Sequence, residues 1–274
     1  MFIKGLKYDF RSVSRIVLPL FIVFLCAAML MSAGFMLDGR VFHLLESEEH
    51  EVLSGLAIIA TILFSLGIIF LLVAINIAVF VLILYRFYVS FFTDEGYLTF
   101  TLPLTTDCHL MIKIASMFLW SLLSWIVTAL GVFIIFGGVA VGYPEIFNEV
   151  ISKIPFIIWD VWTSIYSPSL FWIGTVSLIL TSVFQSFLLY FSITLGCMIF
   201  KKHRLLGAIL SVFCIDIIFS VLTSFGSSMV NIFSVISETA AVISYVISIV
   251  FAVVGIIASY CATKHILEHK LNLD

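Results

Sequence analysis

Six long apolar blocks separated by short polar segments dominate the pattern of the chain. A helix needs roughly 20 apolar residues to cross about 30 Å of hydrocarbon. The blocks predict six transmembrane helices at about 16–37, 53–85, 112–141, 169–199, 205–226 and 240–262. We therefore expect an all-α membrane protein with a single transmembrane domain over residues 1–274.

The first 15 residues alternate apolar and basic positions at helical spacing. Their cations are Lys4, Lys7, Arg11 and Arg15, and the apolar positions take the other side. A basic amphipathic helix of this kind is suited to the headgroup layer of an anionic leaflet. We expect residues 1–15 to form an interfacial helix before the first span; a frayed basic tail is the alternative.

Two connections carry residues that break or interrupt helices. The segment at about 142–168 contains Pro144, Pro155 and Pro168 beside Trp159 and Trp162, which indicates a partly membrane-seated outer loop. The apolar residues 224–237 are too few for two more crossings, so we expect a re-entrant outer hairpin in preference to an ordinary loop. The GxxxG pair Gly138 and Gly142 would permit close helix contact.

Composition agrees with this pattern: 63% of the 274 residues are hydrophobic, only 11% are charged, and the mean hydropathy is +1.27. These values lie far outside those of soluble domains. With both termini in the cytoplasm, eleven cations face inward and only Arg40 and Lys153 face outward, as the positive-inside rule requires. We expect a multi-pass protein of the cell membrane with both termini cytoplasmic. A net charge of −3 gives no reason to expect nucleic acid.

The segment Arg86–Lys113 is the only long stretch between apolar blocks that carries a dense, mixed set of polar groups. Thr93 can cap a helix whose first turn holds Asp94 and Glu95, where acids favour the positive end of the helix dipole. Pro103 would end that helix, and Thr105, Thr106 or Asp107 can cap the next span. The pattern predicts a short amphipathic helix that docks a cytosolic protein. The alternative is an interfacial loop whose aromatic residues only anchor in headgroups.

The run FFTDEGYLTFTLPLTTDCHLMIKI resembles the cytoplasmic loop of type-2 ATP-binding-cassette (ABC) export permeases from Gram-positive bacteria, many of which carry a near-identical TDEGYLTFTLP run. The opening LKYDFRSVSRIVLP is similar to their N-terminal interfacial segment. The resemblance implies that the loop is a coupling helix seated in a groove of an ATPase subunit. The matching positions are Thr93, Asp94, Glu95, Gly96, Tyr97, Leu98, Thr99, Phe100 and Pro103.

The same resemblance implies an exporter built from two permeases, identical or paralogous, and two ATPase subunits. The chain contains no GxxxxGK[ST] motif, so ATP and Mg²⁺ are expected on the separate ATPase and no cofactor on this chain. The chain itself is not expected to be an enzyme. The 28 Phe and 8 Met residues suit a hydrophobic or amphipathic cargo such as a peptide, an antibiotic or a lipid-like compound, and the same composition also suits ordinary lipid-facing packing. Outward movement is implied by the resemblance alone.

Three polar residues within the spans suggest a second hypothesis. Asp216 lies in the middle of the fifth predicted span, where a charge costs about 2.5–3.5 kcal/mol on insertion scales, and Gln185 or Asn76 are its candidate partners. The carboxyl group either relays a cation or proton in a gradient-driven carrier, or forms structural hydrogen bonds. A third hypothesis, an intramembrane zinc enzyme, rests on the HxxEH pattern of His265, Glu268 and His269. We find no catalytic constellation and no other metal-ligand spacing.

Overall fold

The structure, a computed structural model, describes residues 2–45, 51–101, 105–165, 168–234 and 238–269. Within these ranges the secondary structure is entirely helical, in eight helices: α1 Phe2–Leu45, α2 Glu51–Phe92, α3 Asp94–Thr101, α4 Thr106–Gly142, α5 Pro144–Ile165, α6 Pro168–Ile199, α7 Arg204–Ser234 and α8 Glu238–His269. The predicted all-α class is confirmed.

Six segments of the described chain are long and apolar enough to cross a membrane. They are Phe2–Arg40, Ile58–Phe92, Thr106–Gly142, Phe171–Ile199, Arg204–Ser224 and Val242–Glu268. Each contains the greater part of one predicted span, so the six-span layout is confirmed. Several helices run past the predicted ends; α2, for example, continues from 85 to Phe92.

The N-terminal residues do not form a helix of their own. Residues 2–15 belong to α1, which continues through the first span without interruption. No glycine or proline lies between Gly5 and Pro19, so the sequence offers no break at the point where we expected one. The interfacial role of this segment remains a prediction.

Two connections expected to be irregular are helical wherever the structure describes them. α5 occupies Pro144–Ile165. Pro144 stands at its first position, where the N–H that proline lacks has no helical partner to lose. In the segment 224–237, where we expected a re-entrant hairpin, the residues up to Ser234 continue α7, and 235–237 lie outside the described residues. Gly226, the one glycine there, costs only about 1 kcal/mol in a helix relative to alanine.

The chain divides into two compact units, each described by itself. Unit 1 comprises Met1–Asp9, Leu84–Met117 and Thr163–Asp274. Its helices α6, α7 and α8 contact one another, and small residues allow close approach: a side chain at Gly196 would collide with the backbone of Gly207, and one at Gly255 with the ring of Phe184. Such contacts drive helix association where lipid removes the hydrophobic driving force.

Unit 2 comprises Phe10–Ile83 and Phe118–Trp162. A side chain at Gly138 would collide with the backbone of Ser32, and one at Gly142 with that of Phe35. The close contact expected from the GxxxG pair is therefore confirmed, and it joins α4 to α1. Trp120 is fully buried and stacks on Phe10 with the ring centroids 4.4 Å apart.

Candidate functional site

The candidate site is the corner where α2 ends, α3 follows and α4 begins, all within unit 1. The predicted short helix is confirmed as α3, Asp94–Thr101, with two acids in its first turn. The hydroxyl of Thr93 is used differently from the expected cap, because it donates to the carbonyl oxygen of Val89 at 2.6 Å. The N–H of Gly96 donates instead to the backbone carbonyl of Thr93 at 2.8 Å. The hydroxyl thus stabilises the end of α2, and the backbone closes the turn into α3.

Gly96 makes this turn tight. A Cβ atom there would lie 2.7 Å from the carbonyl oxygen of Phe91, closer than a methyl group tolerates. Gly96 itself is buried, and no described residue has a positive φ, so glycine is required by space and not by backbone conformation. Any larger residue would push α3 away from the end of α2.

The acidic side chains of α3 face outward. Asp94 and Glu95 are both exposed, and Arg86 of α2 pairs with Glu95 at 3.1 Å between Nη1 and Oε2. The pair is partly exposed, so it contributes at most about 1 kcal/mol. It nevertheless orients the Glu95 side chain on the last turns of α2, which leaves Asp94 as the more available acid.

A buried polar cluster anchors the corner from behind. The ammonium group of Lys113 on α4 pairs with Asp9 of the N-terminal segment and donates to the hydroxyl of Ser90 on α2 at 2.8 Å. The two charged side chains are each 11% exposed. The hydroxyl of Tyr190 on α6 donates to the carbonyl oxygen of Lys113 at 3.2 Å. The side chain and the backbone of Lys113 therefore join four segments: the N-terminal segment, α2, α4 and α6.

Aromatic and backbone contacts add to this anchor. Phe87 of α2 stacks on Tyr190 with ring centroids 4.1 Å apart, and both are fully buried. Arg204, the first residue of α7, donates to the carbonyl oxygen of Phe92 at 3.5 Å. The last turns of α2 are thus held against α6 and α7.

The start of α4 is fixed at a second polar cluster. Of the three predicted caps, Thr105 accepts the N–H of Cys108 at 3.4 Å. Asp107 has a different partner: it pairs with Lys264 of α8 at 2.8 Å and accepts a hydrogen bond from Tyr260. The beginning of α4 is consequently tied to α8.

The matched motif lies in this corner as far as the structure describes it. Tyr97, Leu98, Thr99 and Phe100 belong to α3, but their side chains and the whole of Pro103 lie outside the described residues. Sequence reasoning missed the residues behind the motif: Asp9, Ser90, Lys113, Tyr190, Arg204, Tyr260 and Lys264. Their only sequence signal was charge or polarity near the ends of spans.

The polar residues within the spans fall into two separate sets. The amide of Gln185 on α6 donates to the carboxylate of Asp216 on α7 at 2.6 Å, as one of the predicted pairings required. Asn76 belongs to unit 2, where it accepts from Ser124 at 3.1 Å and donates to Thr128 at 3.2 Å. Asn76 therefore joins α2 to α4, the interhelical role expected of amides in spans.

A polar cluster in unit 2 was not foreseen. The buried carboxylate of Asp38 accepts hydrogen bonds from Thr61 at 2.5 Å and from Tyr143 at 2.7 Å. Burial, with the adjoining Asp38, raises the pKa of the Tyr143 hydroxyl. Two hydroxyl donors satisfy the carboxylate, so the cluster reads as interhelical support.

The described residues contain no zinc site that includes the residues of the HxxEH pattern. His265 and Glu268 lie on α8, while the side chain of His269 is outside the described residues. No group of three or more His, Cys, Asp or Glu that could hold a metal ion occurs in the described ranges.

Comparison of the chain with protein-family models, with curated proteins and with solved structures finds no match. The functional argument therefore rests on the corner itself. It offers a short helix with two exposed acids, which follows the end of α2 after the single residue Thr93.

Proposed function

We propose that the chain is the membrane-spanning permease subunit of an ABC exporter, in which α3 is the coupling helix that docks on a cytosolic ATPase. The observation that carries the proposal is the position of α3: exposed acids lie on its outer side, and the turn before it is anchored to α6, α7 and the N-terminal segment. The resemblance of Thr93–Pro103 to the loop of type-2 export permeases supplies the partner class.

The anchoring contacts support a mechanical role. The α2–α3–α4 corner contacts α6 through Tyr190, α7 through Arg204 and α8 through Lys264. A displacement of α3 would therefore move several spans together. In the proposed cycle, ATP closes a dimer of ATPases, their grooves move the coupling helices, and a pair of permeases changes from inward to outward opening.

The partners follow from this scheme. Two ATPases hold ATP and Mg²⁺, and a second permease copy or a paralogue completes the pathway through the cell membrane. The chain contributes no nucleotide site. Its cargo is a hydrophobic or amphipathic molecule carried outward.

Co-purification tests the proposal. The tagged chain is expressed with a P-loop ATPase encoded beside it, as wild type and as Asp94→Lys, which reverses an exposed charge that has no described ion-pair partner. We expect the wild type to retain the ATPase and Asp94→Lys to release most of it. Glu145→Lys is the matched control, because Glu145 is also an exposed acid in the first turn of a helix and has no described ion-pair partner, but lies on α5.

The outcome is read on folded protein only, so each variant must elute from size-exclusion chromatography as the wild type does. Loss of the ATPase in Asp94→Lys with retention in Glu145→Lys supports docking at α3. Equal retention in all three, or no retention by the wild type, contradicts it.

The position of Asp216 favours a second candidate function, a gradient-driven carrier, whereas its hydrogen bond with Gln185 matches the structural alternative. Asp216 is exposed on α7 in the middle of a span, where a charge is costly unless it is used or covered. This function predicts transport into vesicles that hold no ATPase, abolished by Asp216→Asn. Transport that requires ATPase and survives Asp216→Asn excludes it.

A further inference from the structure

The carboxylate of Asp216 lies near the middle of the membrane. Twelve residue steps at about 1.5 Å lead from Arg204, the first residue of α7, to Asp216, which is about 18 Å along the helix axis. Half of a hydrocarbon core of about 30 Å is about 15 Å. The side chain of Asp216 is nevertheless exposed. A group that is costly in hydrocarbon is therefore open to the surroundings of the bundle.

Among the described residues, a single side chain donates a hydrogen bond to this carboxylate. The amide of Gln185 on α6 donates to Oδ1 at 2.6 Å. Ser220 lies one turn beyond Asp216, but its hydroxyl donates to the backbone carbonyl oxygen of Asp216 at 2.6 Å. An ionised carboxylate has about four lone-pair sites, so most of its capacity to accept hydrogen bonds or a counter-charge remains open.

The chain supplies no counter-charge at this depth. No Lys, Arg or His occurs within the membrane-spanning parts of the sequence, at 16–39, 52–85, 114–152, 154–200 and 205–263. A second copy of the chain has the same spans, and a two-fold contact through this surface would bring two Asp216 carboxylates together. The positive charge that balances Asp216 must therefore come from outside the chain, as a proton or as a cation.

The surface around Asp216 suits a cation whose charge is enclosed by apolar groups. Phe213 lies three residues before Asp216 and hence on the same face of α7. Its side chain is 64% exposed, and that of Ile217 is 60% exposed. The face of an aromatic ring attracts a cation as the carboxylate does. A metal ion such as Ca²⁺ would need six to eight oxygen ligands, which this apolar surface does not offer.

We infer that Asp216 and Phe213 form a binding site for a lipophilic organic cation that reaches α7 from the surrounding membrane. The carboxylate balances the charge of the ligand, the Phe213 ring contacts its apolar groups, and Gln185 orients the carboxylate. The inference deepens the proposed function by naming the class of cargo, and it rests on that function only in calling the ligand a cargo. Binding itself requires no ATPase.

Equilibrium dialysis of the purified full chain in an uncharged detergent tests the site without the ATPase. Tetraphenylphosphonium is the probe. Tetraphenylborate is the matched control, because it has nearly the same size and shape but the opposite charge. We expect the wild type to bind a single tetraphenylphosphonium ion per chain and to bind no tetraphenylborate beyond the amount that empty micelles take up.

Variants locate the bound probe. Asp216→Asn removes the charge and should lower the affinity for tetraphenylphosphonium at least about tenfold, whereas Asp216→Glu keeps a carboxylate and should retain most of the binding. Phe213→Leu should lower the affinity about two- to fivefold, as expected for the loss of a cation–π contact. Two controls should leave the affinity unchanged: Glu145→Gln, an exposed acid on α5, and Phe133→Leu, a ring 77% exposed on α4.

The outcomes are read on variants that elute from size-exclusion chromatography as the wild type does. Equal binding of the two probes by the wild type overturns the inference. So does an Asp216→Asn variant that keeps the affinity of the wild type. A wild-type chain that retains the ATPase but binds no tetraphenylphosphonium contradicts the cation site and leaves the proposed function standing. Specific binding by a chain that retains no ATPase supports the site and contradicts the proposed function.

Discussion

Replacing Lys113 by Met removes the cation that joins Asp9 to Ser90 while keeping a side chain of similar length. Both charged side chains are only 11% exposed, so the carboxylate left behind would have little access to water. Removing one partner of a buried ion pair costs about 3–5 kcal/mol. We expect Lys113→Met to lower the free energy of unfolding by an amount in that range.

The double variant Asp9→Asn/Lys113→Met should cost much less than the sum of the two single changes. With both charges gone, no buried ion remains uncompensated, and well-packed neutral groups can replace a buried pair at little cost. The contact with the Ser90 hydroxyl is still lost, at about 1 kcal/mol. The non-additivity of the cycle is therefore the quantity that reports the ion pair.

The assay is reversible unfolding in mixed micelles, followed by circular dichroism as SDS is added. Lys153→Met is the matched control, because Lys153 pairs with Glu149 at side-chain exposures of 64% and 67% and should cost about 0–1 kcal/mol. Two results would refute the reasoning: equal costs for Lys113→Met and Lys153→Met, or strict additivity of the Asp9 and Lys113 changes.

Two further predictions concern unit 2 and use the same unfolding assay. Trp120→Ala should cost about 3–5 kcal/mol because the side chain is fully buried, whereas Trp125→Ala, 74% exposed, should cost far less; similar costs would contradict the described packing. Gly138→Leu should cost at least about 1–3 kcal/mol because it forces α4 away from α1. Gly137→Leu has open space around its Cβ and should be nearly neutral, so an equal loss at both glycines would argue against the close contact.

The spans and the short helix were predictable because their signals are local. Sustained apolar runs mark the six spans, and two acids after Thr93 mark the start of α3. We expected the helical backbone to break at Pro144 and near Gly226. A proline is tolerated at the first position of a helix, where Pro144 lies, and a single glycine such as Gly226 is tolerated inside a long helix. The contact of Gln185 with Asp216 was foreseen because polar groups within spans must find partners in one another.

The anchors of the corner were not predictable from the pattern. Lys113 and Asp9 are 104 residues apart, and Asp107 and Lys264 are 157 apart. Each of these residues looks like an ordinary charge near a span end, and a cation there is equally expected to reach the headgroups. Only the folded structure determines whether such a charged side chain contacts water, lipid or a partner side chain. The sequence motif identifies the exposed side of the corner, whereas the contacts behind the motif form only in the folded protein.

The most direct test of the docking claim is site-specific photo-cross-linking from α3 in intact membranes that contain the P-loop ATPase. A photoreactive residue is placed at Asp94 or at Thr101, both exposed, and at Glu145 on α5 as the control. The account predicts that the ATPase is captured from both α3 positions and not from Glu145. Capture from neither α3 position, or equal capture from Glu145, would contradict it.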